Sequence, residues 1–283
     1  MITITQNAFD VSSVDDWFSK YPPQRPSLHW RDGKSAKEHA RAWFPPNNSG
    51  PVVPLGMDVL LLSHPLTHGM IIEKAVPEML VTFDNRGGGR RNTDLGLLGI
   101  SGINRVAVSI EAKTDEHFGN YSIDGQFRRC SQNAQQRIID LCYALFSVAR
   151  HIDIAKLPTH LLKLRYQLLF SMVATIVWAL QQHANVAVLA VHELLPRDLN
   201  YKFRDVNDKR MRGFSRRQIE TNHNDLAAFL TALSGGSTAI ALSESLLDLG
   251  EWKLPDDFVL TVPQRPENRT VRLLAGMGLT YTA

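Results

Sequence analysis

Cysteine is nearly absent from the 283 residues: there are two, Cys130 and Cys142, in no spacing that makes a metal or disulfide framework. A disulfide-stapled scaffold is thereby excluded, and a reducing, cytoplasmic setting is expected. Long apolar runs are missing as well. The most apolar window, 168–180, is too short to span a bilayer, and Met1 to Asp10 has neither the basic start nor the apolar stretch of a secretory leader, so no membrane is expected as a partner. Internal repeats and low-complexity tracts are lacking. So is a strong excess of one charge: 31 Lys and Arg against 28 Asp and Glu leave a formal +3, which permits nucleic-acid binding without demanding it. A P-loop is absent too, because Gly87-Gly88-Gly89 is not followed by Gly-Lys-Ser/Thr. What remains, 44% apolar with 21% charged, is the balance of a soluble globular chain long enough to bury a sizeable core.

The densest chemistry lies between Arg86 and Phe118. Asn92 to Leu98 reads as a strand, Gly99 to Gly102 as a turn and Ile103 to Lys113 as a second strand. In the second strand Val106, Val108 and Ile110 share one face at period two, while Ala107, Ser109, Glu111 and Lys113 share the other. Glu111 and Lys113 therefore point the same way, ~7 Å apart along the strand. With the first strand as neighbour, Asp94 comes beside Glu111, giving two carboxylates and an ammonium at one edge. Mg²⁺ (or Mn²⁺) suits that set, since it takes one or two carboxylates and leaves other positions to water and phosphate oxygens. Asp94 and Glu111 are the expected metal ligands, with the Ala112 carbonyl as a third oxygen and Lys113 beside a metal-bound water. The competing reading is a surface hairpin with a Glu–Lys pair.

Asp94, then Glu111-Ala112-Lys113 seventeen residues later at the end of an apolar strand, resembles the D…ExK signature of the PD-(D/E)XK nuclease superfamily, with Thr93 where the name has proline. The resemblance covers roughly residues 60 to 195. It implies an α/β (α+β) fold with the superfamily's αβββαβ core, a mixed central sheet flanked by helices, and metal-dependent hydrolysis of DNA. A helix from Thr67 to Phe83 fits that order before the strands, and it supplies Glu73 as a helix acid near the metal. The apolar helix from Leu161 to Gln182 carries Gln167, an amide among apolar neighbours that needs a partner. The resemblance assigns Gln167 a place near metal and DNA.

The rest of the chain is read more coarsely. Residues 1–50 form a helical lead-in packed on the core, with capping-box spacings at Ser13 to Asp16 and Ser35 to Glu38, and residues 51–283 form the nuclease-like domain with a C-terminal extension. A helix is expected over Gly125 to Arg150, an interior strand over Val186 to Val191, a short helix over Asn222 to Leu233 and a strand over Asp257 to Val262. Arg90, Arg91, Arg210, Arg212, Arg216 and Arg217 are the expected phosphate contacts, the last four in a basic segment interleaved with aromatics. DNA is the expected partner, and a homodimer is compatible with the reading. The alternative is a nuclease-fold protein without catalysis, a DNA-binding or protein-interaction module. The intact Asp, Glu and Lys speak against it.

Overall fold

The computed structural model describes residues 2–5, 7–82, 90–197, 202–204, 211–213, 215–236, 240–256, 258 and 270–282, with only the backbone described at 90, 91, 202–204 and 211–213. The chain begins with β1 (Thr3–Ile4), α1 (Val14–Lys20), α2 (Pro26–His29), α3 (Ser35–Trp43) and α4 (Leu55–Leu62). Three long strands follow, β2 (Ile71–Thr82), β3 (Arg90–Ser101) and β4 (Asn104–Lys113), and then α5 (Ile123–Phe127), α6 (Gln132–Phe146), α7 (Thr159–Leu162) and α8 (Tyr166–Gln181). The last part holds β5 (Val186–Pro196), β6 (Lys202–Arg204), β7 (Met211–Gly213), α9 (Arg216–Leu233), β8 (Leu247–Lys253) and β9 (Thr270–Thr282).

Seven strands make one mixed sheet in the order β1-β2-β3-β4-β5-β9-β8, and helices flank it on both faces. β2, β3 and β4 are antiparallel neighbours; β5 then runs parallel to both β4 and β9. A parallel pair cannot be closed by a tight turn, and the connection from β4 to β5 runs through α8. β5 is buried along its whole length, as its continuous apolar run dictates. On one face α6, α8 and α9 pack over Ala107, Leu189, Val191, Leu273 and Ala275. On the other, Trp17, Trp43, Phe44 and the α4 residues Met57, Leu60 and Leu61 pack over Leu97, Val106, Val108 and Val188. Among the described residues no helix is long and apolar enough to cross a membrane.

Several boundaries depart from the sequence reading. Thr67 to Phe83 is not a helix: Ile71–Thr82 is strand β2, with Ala75, Met79 and Val81 buried at even spacing. Pro77 rules against a helix interior but is tolerated here, because among the described residues the outer-edge partners of β2, Thr3 to Thr5 and Ala8–Phe9, meet it at Ile71, Ile72 and Ala75 and not at Pro77. β3 runs on to Ser101, so the hairpin turn is Gly102-Ile103 rather than 99–102. The helix expected over 125–150 is two, α5 and α6, the second ending at Ser147 in a left-handed conformation (φ 51°). The one expected over 161–182 is broken between α7 and α8, where Ile123 N–H bonds the Leu164 carbonyl. β5 extends beyond Val191 to Pro196 and α9 starts at Arg216 rather than Asn222, while most of the strand expected over 257–262 lies outside the described residues.

Candidate functional site

The β3–β4 ladder runs from Ser101–Asn104 to Leu95–Ile110 and stops there. Immediately beyond, the Asp94 carboxylate takes the place of a ladder partner: the Ala112 N–H donates to its Oδ2 at 2.7 Å. Within a strand the N–H and C=O of one residue leave on the same side, so the Ala112 carbonyl also faces the β3 side where the strands part. Glu111 and Lys113 share the α8 face of β4. The Lys113 ammonium donates to Glu111 Oε1 at 2.7 Å, and both side chains are more than nine-tenths buried. Gln167, in the first turn of α8, donates its amide to the same Glu111 oxygen. Below the ammonium lies the buried Phe118 ring, 5.4 Å from Nζ.

Asp94, Glu111, Lys113 and Gln167 line one cavity of about 660 Å³, together with Glu78 and Asn92. Glu78 sits on β2 opposite Asp94, between the pairs Pro77–Leu95 and Met79–Thr93, with φ +47°. A non-glycine residue in that region is strained, and such strain gathers at functional sites. Asn92 donates its amide to the Glu78 carboxylate. Burial, then the charges of Glu111 and Glu78, push the Asp94 carboxyl well above the usual carboxylate range. Burial opposes the charge of Lys113, but the carboxylates of Glu111 and Asp94 outweigh it and hold the ammonium above its ordinary value.

Glu78, Asp94, Glu111 and Glu116 put four carboxylates on the cavity against Lys113 and Arg25, and a divalent cation would offset the excess negative charge. The oxygens that could hold one are those of Asp94, Glu111 and the Ala112 carbonyl; Asp94 Oδ1 has no protein donor among the described residues. No three His, Cys, Asp or Glu side chains among the described residues form a metal cage. The donors present are hard oxygens from two carboxylates, a set that fits Mg²⁺ or Mn²⁺ and not a closed zinc site.

Just past Lys113, at the same end of β4, Ser35 and Glu116 also line the cavity and belong to a long-range network. Thr114 Oγ1 donates to the Gly33 carbonyl at 3.1 Å, and the Ser35 N–H donates to Glu116 Oε2 at 3.2 Å. Lys34 Nζ lies 3.5 Å from Glu116 Oε1; burial opposes the Glu116 charge, but Lys34 and Ser35 hold its carboxyl below the ordinary value. Asn222 of α9 donates to the Glu116 carbonyl at 2.8 Å. Beside Lys113 in register, the buried Glu193 of β5 meets His223 Nε2 at 2.8 Å, and that hydrogen bond raises the His223 pKa.

Glu73 does not belong to this site. It lies at the opposite end of β2, between positions paired to Gly99 and Leu98, and meets Arg105 at 3.3 Å. The carboxylate that β2 does bring is Glu78, five residues on, and the alternation of Ala75, Pro77, Met79 and Val81 was the signal that could have found it. Arg90 and Arg91 open β3 at the Asp94 end, with side chains outside the described residues. Arg210 lies outside them altogether, and Arg212 lies in β7, paired with β6. Arg216 and Arg217 begin α9 and are exposed. The cavity walls add residues the sequence did not single out: Arg25 and His29 on one side, His117 and Asn120 on the other.

A protein-family model described as a domain of unknown function, DUF6946, matches residues 10–253. No curated protein and no solved structure matches the chain.

Proposed function

The chain belongs to the DUF6946 family, and from the site that its residues assemble we propose a metal-dependent nuclease that hydrolyses DNA phosphodiester bonds. The observation that carries this reading is the meeting of Asp94, Glu111, Lys113 and Gln167 in one cavity at the carboxyl end of β4. Element order supports it. With α5 to α7 inserted, α4, β2, β3, β4, α8 and β5 follow as helix, three strands, helix and strand, the αβββαβ order of the PD-(D/E)XK core that the D…ExK spacing resembles.

Mg²⁺ or Mn²⁺ held by Asp94, Glu111 and the Ala112 carbonyl would supply Lewis-acid polarisation of the phosphoryl group and a more acidic attacking water. The chain's own residues position and stabilise. The Ala112 amide fixes Asp94 in the fork between β3 and β4. Lys113 and Gln167 both donate to Glu111 Oε1 and so hold that carboxylate in a single orientation. Lys113 also presents a fixed positive charge where negative charge builds on phosphorus, and Phe118 keeps solvent from one side of it.

Plasmid and linear DNA, each incubated with Mg²⁺, Mn²⁺ or EDTA, test the proposal. Cleavage with either metal and none in EDTA is expected. Intact DNA under every metal overturns catalysis and leaves the DNA-binding module in its place.

A further inference from the structure

The two walls of the cavity carry chemistry that the hydrolytic residues do not use. One wall is the segment around α2, where Arg25 and His29 line the cavity and neither has an acidic partner among the described residues. Directly after His29, Trp30 stacks on Phe18, with ring centroids 5.0 Å apart and planes at 26°, and Phe18 is more than one-third exposed. The other wall is the loop between β4 and α5. There Asn120 lines the cavity, and the adjacent Tyr121 is exposed, with the Arg129 guanidinium 5.1 Å from its ring centroid. Next in the chain to a lining residue on each side, and outside the lining itself, stands an aromatic, Trp30 with its stacked partner Phe18 after His29 and Tyr121 after Asn120, while the floor between is acidic.

Both walls are anchored. The α2 wall is tied to the end of β4 through Thr114 to the Gly33 carbonyl and through Lys34 and Ser35 to Glu116. The Tyr121 carbonyl accepts the Tyr166 N–H at the head of α8, one residue from Gln167. The space between them is about 660 Å³.

We infer that the substrate enters this cleft as an unpaired nucleic-acid strand, its phosphates held by Arg25, His29 and Arg129 and its bases stacked on Tyr121 and on the Phe18–Trp30 pair. In a duplex the bases are stacked on one another and offer no face to wall aromatics; in a single strand they do, and cation-lined grooves with aromatic platforms bind single strands. The inference rests on the nuclease reading for what happens at the floor, but strand binding by the walls is separable from it.

Fluorescence anisotropy in EDTA, with a dye-labelled oligothymidylate and a blunt duplex of the same length, reads wall binding alone. The full-length protein is expected to bind the single strand about tenfold or more tightly than the duplex. Arg25→Ala and Tyr121→Ala should each weaken single-strand binding by about five- to tenfold, while Tyr121→Phe, which keeps the stacking face, stays near wild type. Both positions are on the surface, and unchanged melting curves show that the fold is kept. Equal or tighter duplex binding, no binding to either probe, or alanine variants that bind as wild type would overturn the inference. A single-strand preference that depends on Tyr121, in a protein that cleaves nothing with Mg²⁺ or Mn²⁺, sinks the nuclease reading and leaves this one standing.

Discussion

Burial works against the charge of Lys113, yet Glu111 and Asp94 keep it an ammonium, so in the proposed reaction its charge would already be in place when the phosphate arrives. A preorganised charge of this kind is worth ~3 kcal/mol in the transition state, about a hundredfold or more in rate. Lys113→Ala should therefore cut single-turnover DNA cleavage by at least about a hundredfold. DNA affinity, spread over many contacts, should change little. Removing one partner of a buried pair also costs ~3–5 kcal/mol of stability, so melting curves accompany the rates, and Lys113→Arg keeps the charge with a different geometry. Rates equal to wild type in Lys113→Ala would end the proposed role. Asp94→Ala should fail differently: calorimetric titration should find Mg²⁺ binding lost there and kept in Lys113→Ala. At this scale the sequence was informative where one strand sufficed. Alternation along 103–113 puts Glu111 and Lys113 on one face, and the hairpin partner brings Asp94. It said nothing of Arg25, His29 or Tyr121 as neighbours of the site, because contacts such as Ser35 to Glu116 join residues 81 apart in sequence.

Among the elements, β2 shows how a different period displaces a candidate site residue. Lys74-Ala75 after Met70-Ile71 imitates helical spacing, and on a helix Glu73 is the acid that comes forward. On the strand the sheet actually contains, Glu73 is at the wrong end and Glu78 faces Asp94. Glu78 reaches that place with φ +47°, at a cost of ~1–2 kcal/mol for a residue with a side chain. A paired substitution separates the backbone from the carboxylate. Glu78→Ala and Glu78→Gly both remove the charge beside Asp94, but only glycine relieves the left-handed conformation. Glycine in a strand is ordinarily ~0.5–1 kcal/mol less stable than alanine. Here the order should invert, with Glu78→Gly unfolding at the higher denaturant midpoint, while both variants lose cleavage activity to a similar extent. A glycine variant less stable than the alanine one by the ordinary ~0.5–1 kcal/mol would show that position 78 is not strained. α8 was legible for the opposite reason. Its run from Leu168 to Leu180 is apolar on every side, which suits a helix enclosed between the sheet and α6 and α9, and the lone amide near its start is the one that meets Glu111.

Across the whole molecule the sheet divides two cores, and a histidine pair joins it to the N-terminal helices. His39 of α3 and His192 of β5 meet Nδ1 to Nδ1 at 3.0 Å with both rings buried. His192 Nε2 is bonded to Thr280 Oγ1 at 2.8 Å, whereas His39 Nε2 has no partner among the described residues, and the His39 ring meets the Trp17 and Trp43 rings edge-on. Burial pushes the His39 pKa down to about 3, and burial together with His39 lowers that of His192. The sign follows from linkage. The unfolded chain takes up protons on these imidazoles near the ordinary ~6.5, and the folded chain does not until far lower pH, so stability is complete above about 7 and drains away as the pH falls. For His39 alone the loss reaches ~2 kcal/mol by about pH 5. Asp94 acts with the opposite sign, since its raised carboxyl binds a proton in the folded state first and so adds stability as the pH falls through that range. Calorimetric melting from about pH 8 to about pH 5 should therefore show a falling Tm in wild type and a distinctly shallower fall in His39→Gln, which removes one imidazole and leaves Asp94 as it was. Parallel curves for the two proteins would mean that the N-terminal helices are not held to the sheet through a neutral histidine pair.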